Sequence, residues 1–500
     1  MARYQDYPLS IYNSYNREKE IFTPLHEGHV GMYVCGPTVY SNVHLGNVRT
    51  FLTFDVLYRY LIHLGYKVRY VRNITDVGHL VDDVDEGEDK IAKKARLDNL
   101  EPMEVVQMYT NDFHNTLALF NFLSPSIEPT ATGHIIEQIQ MIEQILNNGF
   151  AYEVNGSVYF DVPKYQEAKG NYGQLSGRVL EDLISNTREL DGQDEKRSPL
   201  DFAIWKNADE RHIMKWPSSW GIGFPGWHLE CSAMSTKYLG KEFDIHGGGM
   251  DLKFPHHECE IAQSVAADGV APVHYWMHSN MLTVNGQKMS KSLGNSFSPS
   301  ELMTGNHHLL KKGYSPMTVR FFMLQSHYSS TLDFSNDALD AAEKGFRRLN
   351  NARKSLAKLS YLSGPMDEAL NKEIQSSLNS AYLNLSDDLN TAKAIANLFD
   401  LATRINSMAG GKLKPGALSE GTFNRLKQEY EQIINDILGL RLEESDESGM
   451  MDGLMHLLID IRQQARKNKD FATSDQIRDT LSALGVQLKD GPEGTSYSIE

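Results

Sequence analysis

The chain of 500 residues has 41% hydrophobic and 23% charged residues, a composition that excludes a disordered or fibrous protein. Its 49 Lys and Arg against 65 Asp and Glu leave a formal net charge of −16, so bulk charge disfavours a polyanion and any nucleic acid has to meet a local patch. Three cysteines are too few for a disulfide framework, and we find neither an apolar run near the roughly 18 residues of a membrane span nor an amino-terminal secretory signal, so we expect a cytoplasmic protein of enzyme size without a membrane partner.

The amino-terminal part predicts a strand, a helix and a second strand. Apolar residues alternate from His29 to Cys35, which is typical of a strand. Beyond Gly46 they recur at three- and four-residue spacing as far as Gly65, which indicates an amphipathic helix, and the stretch from Val68 to Ile74 is predicted to be the next strand. This order of elements is typical of an α/β nucleotide-binding fold.

The middle of the chain indicates an insertion. The acidic stretch at 82–89 has no apolar stripe and is predicted to be a solvated loop. Further along, Asn155-Gly156 lies between two alternating segments, which is a strong hairpin signal. We expect this hairpin to begin an inserted subdomain and the core sheet to resume near Trp205 or Trp220.

The last third is rich in helix formers and poor in Gly and Pro. Helices are predicted at 337–359, at 367–408 in two pieces, at 421–438 and at 450–468. The carboxyl-terminal region is therefore expected to be helical.

Four residues of types that bind zinc are spread over three segments. Cys35 follows the first strand, Cys231 lies far downstream, and His256 and Glu260 follow Pro255, a residue suited to a helix start. Residues four apart on a helix share a face, so His256 and Glu260 can bind one ion together. Two thiolates, an imidazole and a carboxylate suit tetrahedral zinc. The spacing alone also allows the alternative that the cysteines are ordinary buried residues.

Two further motifs are suited to phosphate. His44, Gly46 and Asn47 lie at the start of the first predicted helix, where free backbone N–H groups attract a phosphate. Lys288 and Lys291 lie in a small-residue loop that can neutralise the charge of a leaving pyrophosphate. Each motif alone also fits an ordinary helix turn or a solvated loop.

Taken in this order, the two motifs resemble the two signature sequences of class I aminoacyl-tRNA synthetases. Within that class the chain resembles the cysteinyl-tRNA synthetases over essentially its whole length. The blocks that support this resemblance are Met32–Tyr40, Asn73–Asp76, Gly226–Met234 and Asp244–Glu260.

The resemblance implies an α/β fold: a Rossmann-type catalytic domain with an inserted connective subdomain, followed by an all-α bundle and a small carboxyl-terminal subdomain. The implied bounds are 1–121 and 201–336 for the two halves of the catalytic domain, 122–200 for the connective subdomain, 337–442 for the bundle and 450–500 for the anticodon-side subdomain.

The implied activity is that of an ATP-dependent ligase. It activates L-cysteine as cysteinyl-adenylate and transfers the cysteinyl group to tRNA(Cys). The resemblance also implies one Zn2+ that recognises the substrate thiolate and Mg2+ that accompanies ATP. The implied oligomeric state is a monomer. The implied zinc ligands are Cys35, Cys231, His256 and Glu260, and the implied cysteine-binding residues are Thr75 and Trp227. The implied catalytic residues are His44, Asn47, Lys288 and Lys291, which also bind ATP together with Gly46, Gly247, Gly248 and Asp251.

A basic stretch near the carboxyl end is predicted to contact tRNA phosphates. Arg462, Arg466, Lys467 and Lys469 stand close together in an otherwise acidic chain. The alternative is a solvated helical face.

The chain departs from the family pattern at three places. Asn47 stands where a second His is commoner, and it keeps a donor but loses titratability. Cys259 stands where the family more often has Asn. The acidic insertion separates Thr75-Asp76 from Asp89, so the geometry of that loop is not transferable.

Two alternative functions remain at this point. A ligase that joins cysteine to an amino sugar shares the ATP and zinc blocks but resembles a chain truncated before the helical region. A zinc-stabilised RNA-binding protein with a vestigial nucleotide site is the second, which the retained His44, Lys288 and Lys291 disfavour.

Overall fold

The computed structural model describes residues 3–80, 89–178, 195–210, 212–290, 293–442, 447–491 and 494–499. Lys291 and most of the acidic stretch predicted as a loop lie outside these ranges. The chain divides into two compact units, Met1–Arg441 and Leu442–Glu500. The predicted helical bundle therefore belongs to the same compact unit as the nucleotide-binding part.

The elements of the first unit follow in chain order. Up to the inserted hairpin they are β1 (Ser10–Asn13), β2 (Glu18–Ile21), β3 (His29–Val34), α1 (Leu45–Leu64), β4 (Lys67–Arg72), α2 (Lys90–Asp98), α3 (Pro102–Leu119) and α4 (Ile135–Asn147). Next come β5 (Ala151–Val154), β6 (Ser157–Phe160), α5 (Val162–Lys169), β7 (Phe202–Asn207), β8 (Trp216–Ser218), β9 (Gly221–Pro225), α6 (Trp227–Leu239), β10 (Phe243–Gly249), α7 (His256–Asp268) and β11 (Val273–Ser279). The remainder are β12 (Leu282–Val284), β13 (Gln287–Lys288), α8 (Pro299–Thr304), α9 (Pro316–Leu324), β14 (Leu332–Phe334), α10 (Asn336–Lys358), α11 (Glu368–Ser386), α12 (Thr391–Ala409) and α13 (Glu420–Glu431), which a π-helical segment (Gln432–Ile437) extends.

A four-stranded parallel sheet positions the candidate site. Its strand order is β11-β10-β3-β4, with Val34 opposite both Gly247 and Arg72. Because the strands are parallel, their carboxyl ends meet at one edge of the sheet, which is where α/β folds of this kind bind ligands. The chain is thus a mixed α/β protein of the Rossmann type, as the first strand, helix and strand predict.

Helix α1 packs on this sheet and is buried over most of its surface. It ends at Gly65, whose φ of 99° lies in the left-handed region that favours glycine at a helix end. Gly247 of β10 is required by this packing, because a Cβ there would lie 2.0 Å from the ring of Phe54 on α1. The predicted helix and its end are therefore confirmed.

The inserted region forms its own antiparallel sheet, with strand order β5-β6-β7-β9-β8. The predicted hairpin is confirmed, with positive φ at both Asn155 and Gly156. The expected return of the core sheet near Trp205 or Trp220 is wrong, since Trp205 pairs with Val158 of β6 and the parallel sheet resumes only with β10. An alternating pattern identifies a strand but not the sheet that the strand joins.

The helices predicted from residue 337 onward are confirmed within one or two residues at most ends. One buried cation ties the bundle to the parallel-sheet layers. The guanidinium of Arg320 is 0% exposed and donates 2.8 Å hydrogen bonds to the carbonyls of Phe120 and Leu438.

The second unit contains α14 (Glu447–Lys467), α15 (Phe471–Ala483) and the antiparallel pair β15 (Val486–Gly491) and β16 (Gly494–Ile499). Its small core is built on Met455, Leu481 and Val486. Across both units, none of the described helices has the length and apolar content needed to span a membrane.

Candidate active site

A cavity of about 460 Å³ opens at the carboxyl edge of the parallel sheet. The loops after β3, β4 and β10 and the starts of α1, α6 and α7 form its wall. The cavity brings together residues from most of the blocks that the sequence singled out.

Four predicted metal ligands converge at the base of this cavity. Cys35, Cys231, His256 and Glu260 are buried, and their ligand atoms all lie within 4.8 Å of one another. The Sγ atoms of Cys35 and Cys231 are 3.7 Å apart, and His256 Nε2 lies 3.4 Å from Cys231 Sγ. Glu260 Oε1 lies 3.2 Å from His256 Nε2 and 3.7 Å from Cys35 Sγ.

These separations suit a zinc ion. Zinc binds sulfur at about 2.3 Å and nitrogen or oxygen at about 2.0–2.2 Å, so the edges of its coordination tetrahedron measure about 3.3–3.8 Å. The distances between the four donor atoms fall close to that range. The set therefore fits zinc in both donor type and geometry.

A second set of four potential ligands shares two members with the first. Cys35 and Glu260 also approach His246 and His257. His246 Nε2, however, lies 2.8 Å from Glu260 Oε2, a hydrogen-bond distance that is too short for the edge of a coordination tetrahedron. We interpret His246 as the group that orients Glu260, in the way that carboxylate and imidazole partners orient metal ligands.

Burial favours the neutral forms of the two thiols and of the His256 imidazole. It raises the pKa of Cys35 well above its usual range, with the neighbouring Cys231 adding to the effect, and it raises the pKa of Cys231 to about 12. Burial also lowers the pKa of His256 well below its usual range, with His228 adding to the effect. A neutral imidazole is the form that binds a metal, and a dication favours the thiolates.

The predicted cysteine-pocket residues adjoin this cluster. Thr75 follows β4, and its hydroxyl donates to the carboxyl of Glu230, which also accepts a 3.3 Å hydrogen bond from Asn73. Burial raises the pKa of Glu230 well above its usual range. Its second oxygen, Oε2, has no hydrogen-bond partner among the residues that the structure describes.

Trp227, the other predicted pocket residue, opens helix α6. Its ring lies 4.5 Å from that of His256 and 3.9 Å from that of His79, measured between centroids. Both Thr75 and Trp227 therefore line the same cavity as three of the candidate metal ligands, and their role in cysteine binding stays a prediction.

The motif at the start of α1 lies on the opposite wall. His44 is the N-cap residue, and the side chains of His44 and Asn47 each accept a hydrogen bond from the other's backbone N–H. Gly46 allows the close approach of neighbouring side chains, since a Cβ there would lie 3.0 Å from the His44 ring and 3.5 Å from Met289. Asn47, which replaces the commoner His of this motif, therefore helps to cap helix α1.

The glycine-rich strand contributes less than predicted. Gly247 and Gly248 are buried in β10, where a Cβ would meet Phe54 and His257 respectively. Gly249, Asp251 and Leu252, at the end of this strand and just beyond it, line the cavity. The absence of side chains at 247 and 248 serves packing.

The second lysine motif approaches the same cavity. Lys288 ends β13 and is exposed, while Met289 and Ser290 line the cavity. Asn295 holds the loop, accepting from the backbone N–H of Ser290 at 2.8 Å and donating to the carbonyl of Lys288 at 3.1 Å. Sequence reasoning missed Asn295, although its place just after the motif was visible.

Cys259 does not join the ligand set. It is buried on α7, with its Sγ 3.7 Å from the hydroxyl of Tyr172. The interpretation of Cys259 as a packed thiol agrees with this position.

The predicted tRNA contacts divide into two kinds. Arg466, Lys467 and Lys469 are exposed at the end of α14 and just beyond it. Arg462 is only 4% exposed, so the prediction that it contacts phosphate is corrected. It lies one helical turn before the exposed Arg466 on the same helix, and charge alone did not reveal that its side chain is buried.

Sequence comparison places the chain among known proteins. The family model described as the tRNA synthetases class I (C) catalytic domain matches residues 21–344, and the DALR domain matches residues 382–443. The cysteine-tRNA ligase of Bacteroides thetaiotaomicron is 55% identical over 501 residues, covering 99% of both chains. That of Cytophaga hutchinsonii is 57% identical over 495 residues, covering 98% of this chain and 99% of the relative.

Solved structures share the fold at low identity. A methionyl-tRNA synthetase of Mycobacterium tuberculosis in complex with methionyl-adenylate matches with a TM-score of 0.60 at 11% identity, covering 82% of this chain and 92% of that one. The LeuRS of Agrobacterium radiobacter K84 in a ternary complex matches with a TM-score of 0.57 at 13% identity, covering 83% and 85%.

Proposed function

The chain belongs to the cysteine-tRNA ligases, a family of class I aminoacyl-tRNA synthetases that attach an amino acid to tRNA, and from this membership we propose how its own residues select and activate the substrate. Cys35, Cys231, His256 and Glu260 would hold a zinc ion, which would bind the thiolate of L-cysteine. ATP, accompanied by Mg2+, would react with the cysteine carboxylate to give cysteinyl-adenylate and pyrophosphate, and the terminal ribose hydroxyl of tRNA(Cys) would accept the cysteinyl group with release of AMP. The four converging donor atoms are the observation that supports this proposal most directly.

The adenylation step needs orientation and charge stabilisation from the protein. The cysteine carboxylate is ionised at pH 7, so it attacks the α-phosphate of ATP without a general base and expels pyrophosphate. His44 and the backbone N–H groups at the start of α1 face the phosphates, and Lys288 and Lys291 neutralise the charge that develops on the leaving group. Asn47 holds His44 in place, and Asp251 lines the nucleotide side of the cavity.

Zinc supplies a Lewis acid that binds a thiolate far more readily than a poorly acidic hydroxyl. An apolar pocket distinguishes such small changes by only about 1–3 kcal/mol. Thr75 and Trp227 shape the remainder of the pocket. Glu230 Oε2, which has no hydrogen-bond partner among the described residues, is a suitable acceptor for the substrate's α-ammonium group, whose positive charge would favour the ionised carboxylate.

The test is cysteine-dependent exchange of pyrophosphate into ATP, run beside serine and repeated after zinc removal and restoration. We expect exchange with cysteine alone, lost without zinc and regained with it. Cys231→Ser should reduce both zinc content and exchange, whereas the matched control Cys259→Ser, which alters a buried thiol outside the ligand set, should retain both. Exchange that persists at full rate in zinc-free protein would contradict the thiolate proposal.

The same assay decides between the alternatives. A chain that only bound RNA would give no exchange, and a ligase acting on an amino sugar would give exchange but no tRNA charging. The alignment of this chain with a cysteine-tRNA ligase covers 99% of both chains, which disfavours the amino-sugar ligase, since that enzyme resembles a truncated chain. A monomeric, cytoplasmic protein and the anticodon-side role of residues 450–500 remain predictions.

A further inference from the structure

His79 lies between Thr75-Asp76 and the acidic stretch, and its side chain forms part of the active-site wall. His79 is buried and lines the cavity. Its ring is nearly parallel to the Trp227 indole, with 3.9 Å between centroids and 8° between planes. Such close, parallel contact means that neither ring can tilt without displacing the other.

Two hydrogen bonds fix the plane of the His79 ring. Lys90 Nζ lies 2.6 Å from Nε2, and Thr38 Oγ1 lies 2.7 Å from Nδ1. Because an ammonium group has only donors, Nε2 must accept, and the neutral ring therefore carries its proton on Nδ1 and donates it to Thr38. One tautomer and one orientation satisfy both contacts.

Backbone hydrogen bonds beside His79 join the two ends of the insertion. The N–H of Gly78 donates to Asp89 Oδ2 at 2.9 Å, and the N–H of Lys90 donates to the carbonyl of His79 at 2.9 Å. Leu80 and Asp89 form an antiparallel bridge. His79 and Lys90 are therefore held face to face although eleven residues separate them.

We propose that His79 is a positioning residue for cysteine binding: clamped by Lys90 and Thr38, it holds the Trp227 indole against the metal ligand His256 and so sets the shape of the thiol pocket. This inference rests on the proposed function, in which Trp227 lines the cysteine pocket. His79 and Lys90, which flank the acidic stretch, thereby contribute to amino-acid recognition.

The experiment compares His79→Ala, Lys90→Met and Lys90→Arg with Lys93→Met, a matched control one helical turn along α2. Calorimetry measures the Kd for cysteine, exchange kinetics give KM for cysteine and for ATP, and metal analysis gives zinc content. We expect His79→Ala to raise the Kd and KM for cysteine about tenfold, as the loss of one stacked aromatic pair allows. Lys90→Met should raise them severalfold, while Lys90→Arg, which keeps a donor, and Lys93→Met should stay within about twofold of the parent.

Zinc content and the KM for ATP should not change in any of these variants, which separates positioning of Trp227 from damage to the metal site. If His79→Ala loses zinc or fails to fold, Lys90→Met decides the matter, because it removes the hydrogen bond to His79 Nε2 and leaves the ring in place. An unchanged Kd for cysteine in both variants would overturn the inference while leaving the proposed function intact.

A rise in KM for ATP alone would also overturn the inference, because it would assign Lys90 to nucleotide binding. Absence of exchange in the parent chain would instead count against the proposed function, and the calorimetric Kd would still report on His79.

Discussion

The guanidinium of Arg49 donates a 2.6 Å hydrogen bond to the backbone carbonyl of Met281. Arg49 belongs to α1, two residues after Asn47, and Met281 precedes the strand that leads to Lys288. The same guanidinium donates to the carbonyl of Ser330, and burial lowers the pKa of Arg49 to about 10. One buried cation thus joins the two signature segments of the active site.

Replacing this cation should separate the two segments. Arg49→Met removes the hydrogen bonds that this guanidinium donates to the carbonyls of Met281 and Ser330, each worth about 1.5–3 kcal/mol for a charged donor, and loosens the loop that contains Lys288. We expect kcat for pyrophosphate exchange to fall at least about tenfold with a smaller change in KM for cysteine. Arg69→Met, at an exposed arginine on β4, is the control, and equal rates in both variants would refute the link.

His246 should control metal affinity without binding the metal. It donates to Glu260 Oε2 at 2.8 Å and stacks on Trp276. His246→Phe keeps a ring against Trp276 but removes the donor, so zinc affinity should weaken by about 10–100-fold in chelator competition. The control is His274→Phe, at a half-exposed histidine of the adjacent strand β11, which should leave the zinc affinity unchanged. A total loss of zinc in His246→Phe, beyond the weakening expected here, would instead indicate that His246 is itself a ligand.

The buried pair of Arg320 and Asp55 should dominate the stability of the first unit. Arg320 Nη2 lies 2.5 Å from Asp55 Oδ2, and both side chains are almost fully buried. Arg320→Met leaves Asp55 without one of its two arginine partners and should cost about 3–5 kcal/mol in urea unfolding. Arg347→Met is the control: its side chain is 69% exposed and 4.0 Å from Glu343, so a change within about 0.5 kcal/mol is expected.

The lowered pKa of the partly buried His63 should make the free energy of unfolding depend on pH. Burial, with the nearby Arg3 adding to the effect, lowers the pKa of His63 from 6.5 to about 4. Between these values the unfolded state binds one proton more than the folded state, so stability rises with pH across this window and is lost as pH falls. His63→Phe keeps the ring beside Tyr382 and should gain about 1 kcal/mol relative to the parent between pH 7 and pH 5, after allowance for partial exposure. Parallel pH profiles of the two proteins would contradict this assignment.

The exposed basic residues of the second unit should affect charging but not activation. Arg466, Lys467 and Lys469 are exposed, and their joint replacement by Ala should raise KM for tRNA. The slope of log affinity against log salt concentration should become shallower by about 0.7–0.9 for each phosphate that is no longer neutralised. Pyrophosphate exchange, which needs no tRNA, serves as the internal control. Arg462→Ala, at a buried position, should instead lower the stability of this unit.

Local sequence patterns determined the elements and the types of ligand. The apolar spacing of α1 and its end at Gly65 follow from a 3.6-residue period, and the same period places His256 and Glu260 on one face of α7. Residue type singled out Cys35 and Cys231 as candidates, and the resemblance to a family joined them with His256 and Glu260 in one ligand set. These features depend on neighbours along the chain or on blocks typical of a family, so the sequence was sufficient.

Tertiary structure alone decided which elements meet. Trp205 is in a strand, as its surroundings indicate, yet the partner of that strand is β6 and not the parallel sheet. The contact of His79 with Lys90 and Trp227 and the burial of Arg462 have no counterpart in periodicity or charge. The physical reason is that a pattern reports only whether a face is apolar or charged, whereas the partner of that face is chosen by packing and hydrogen bonding between segments distant in sequence.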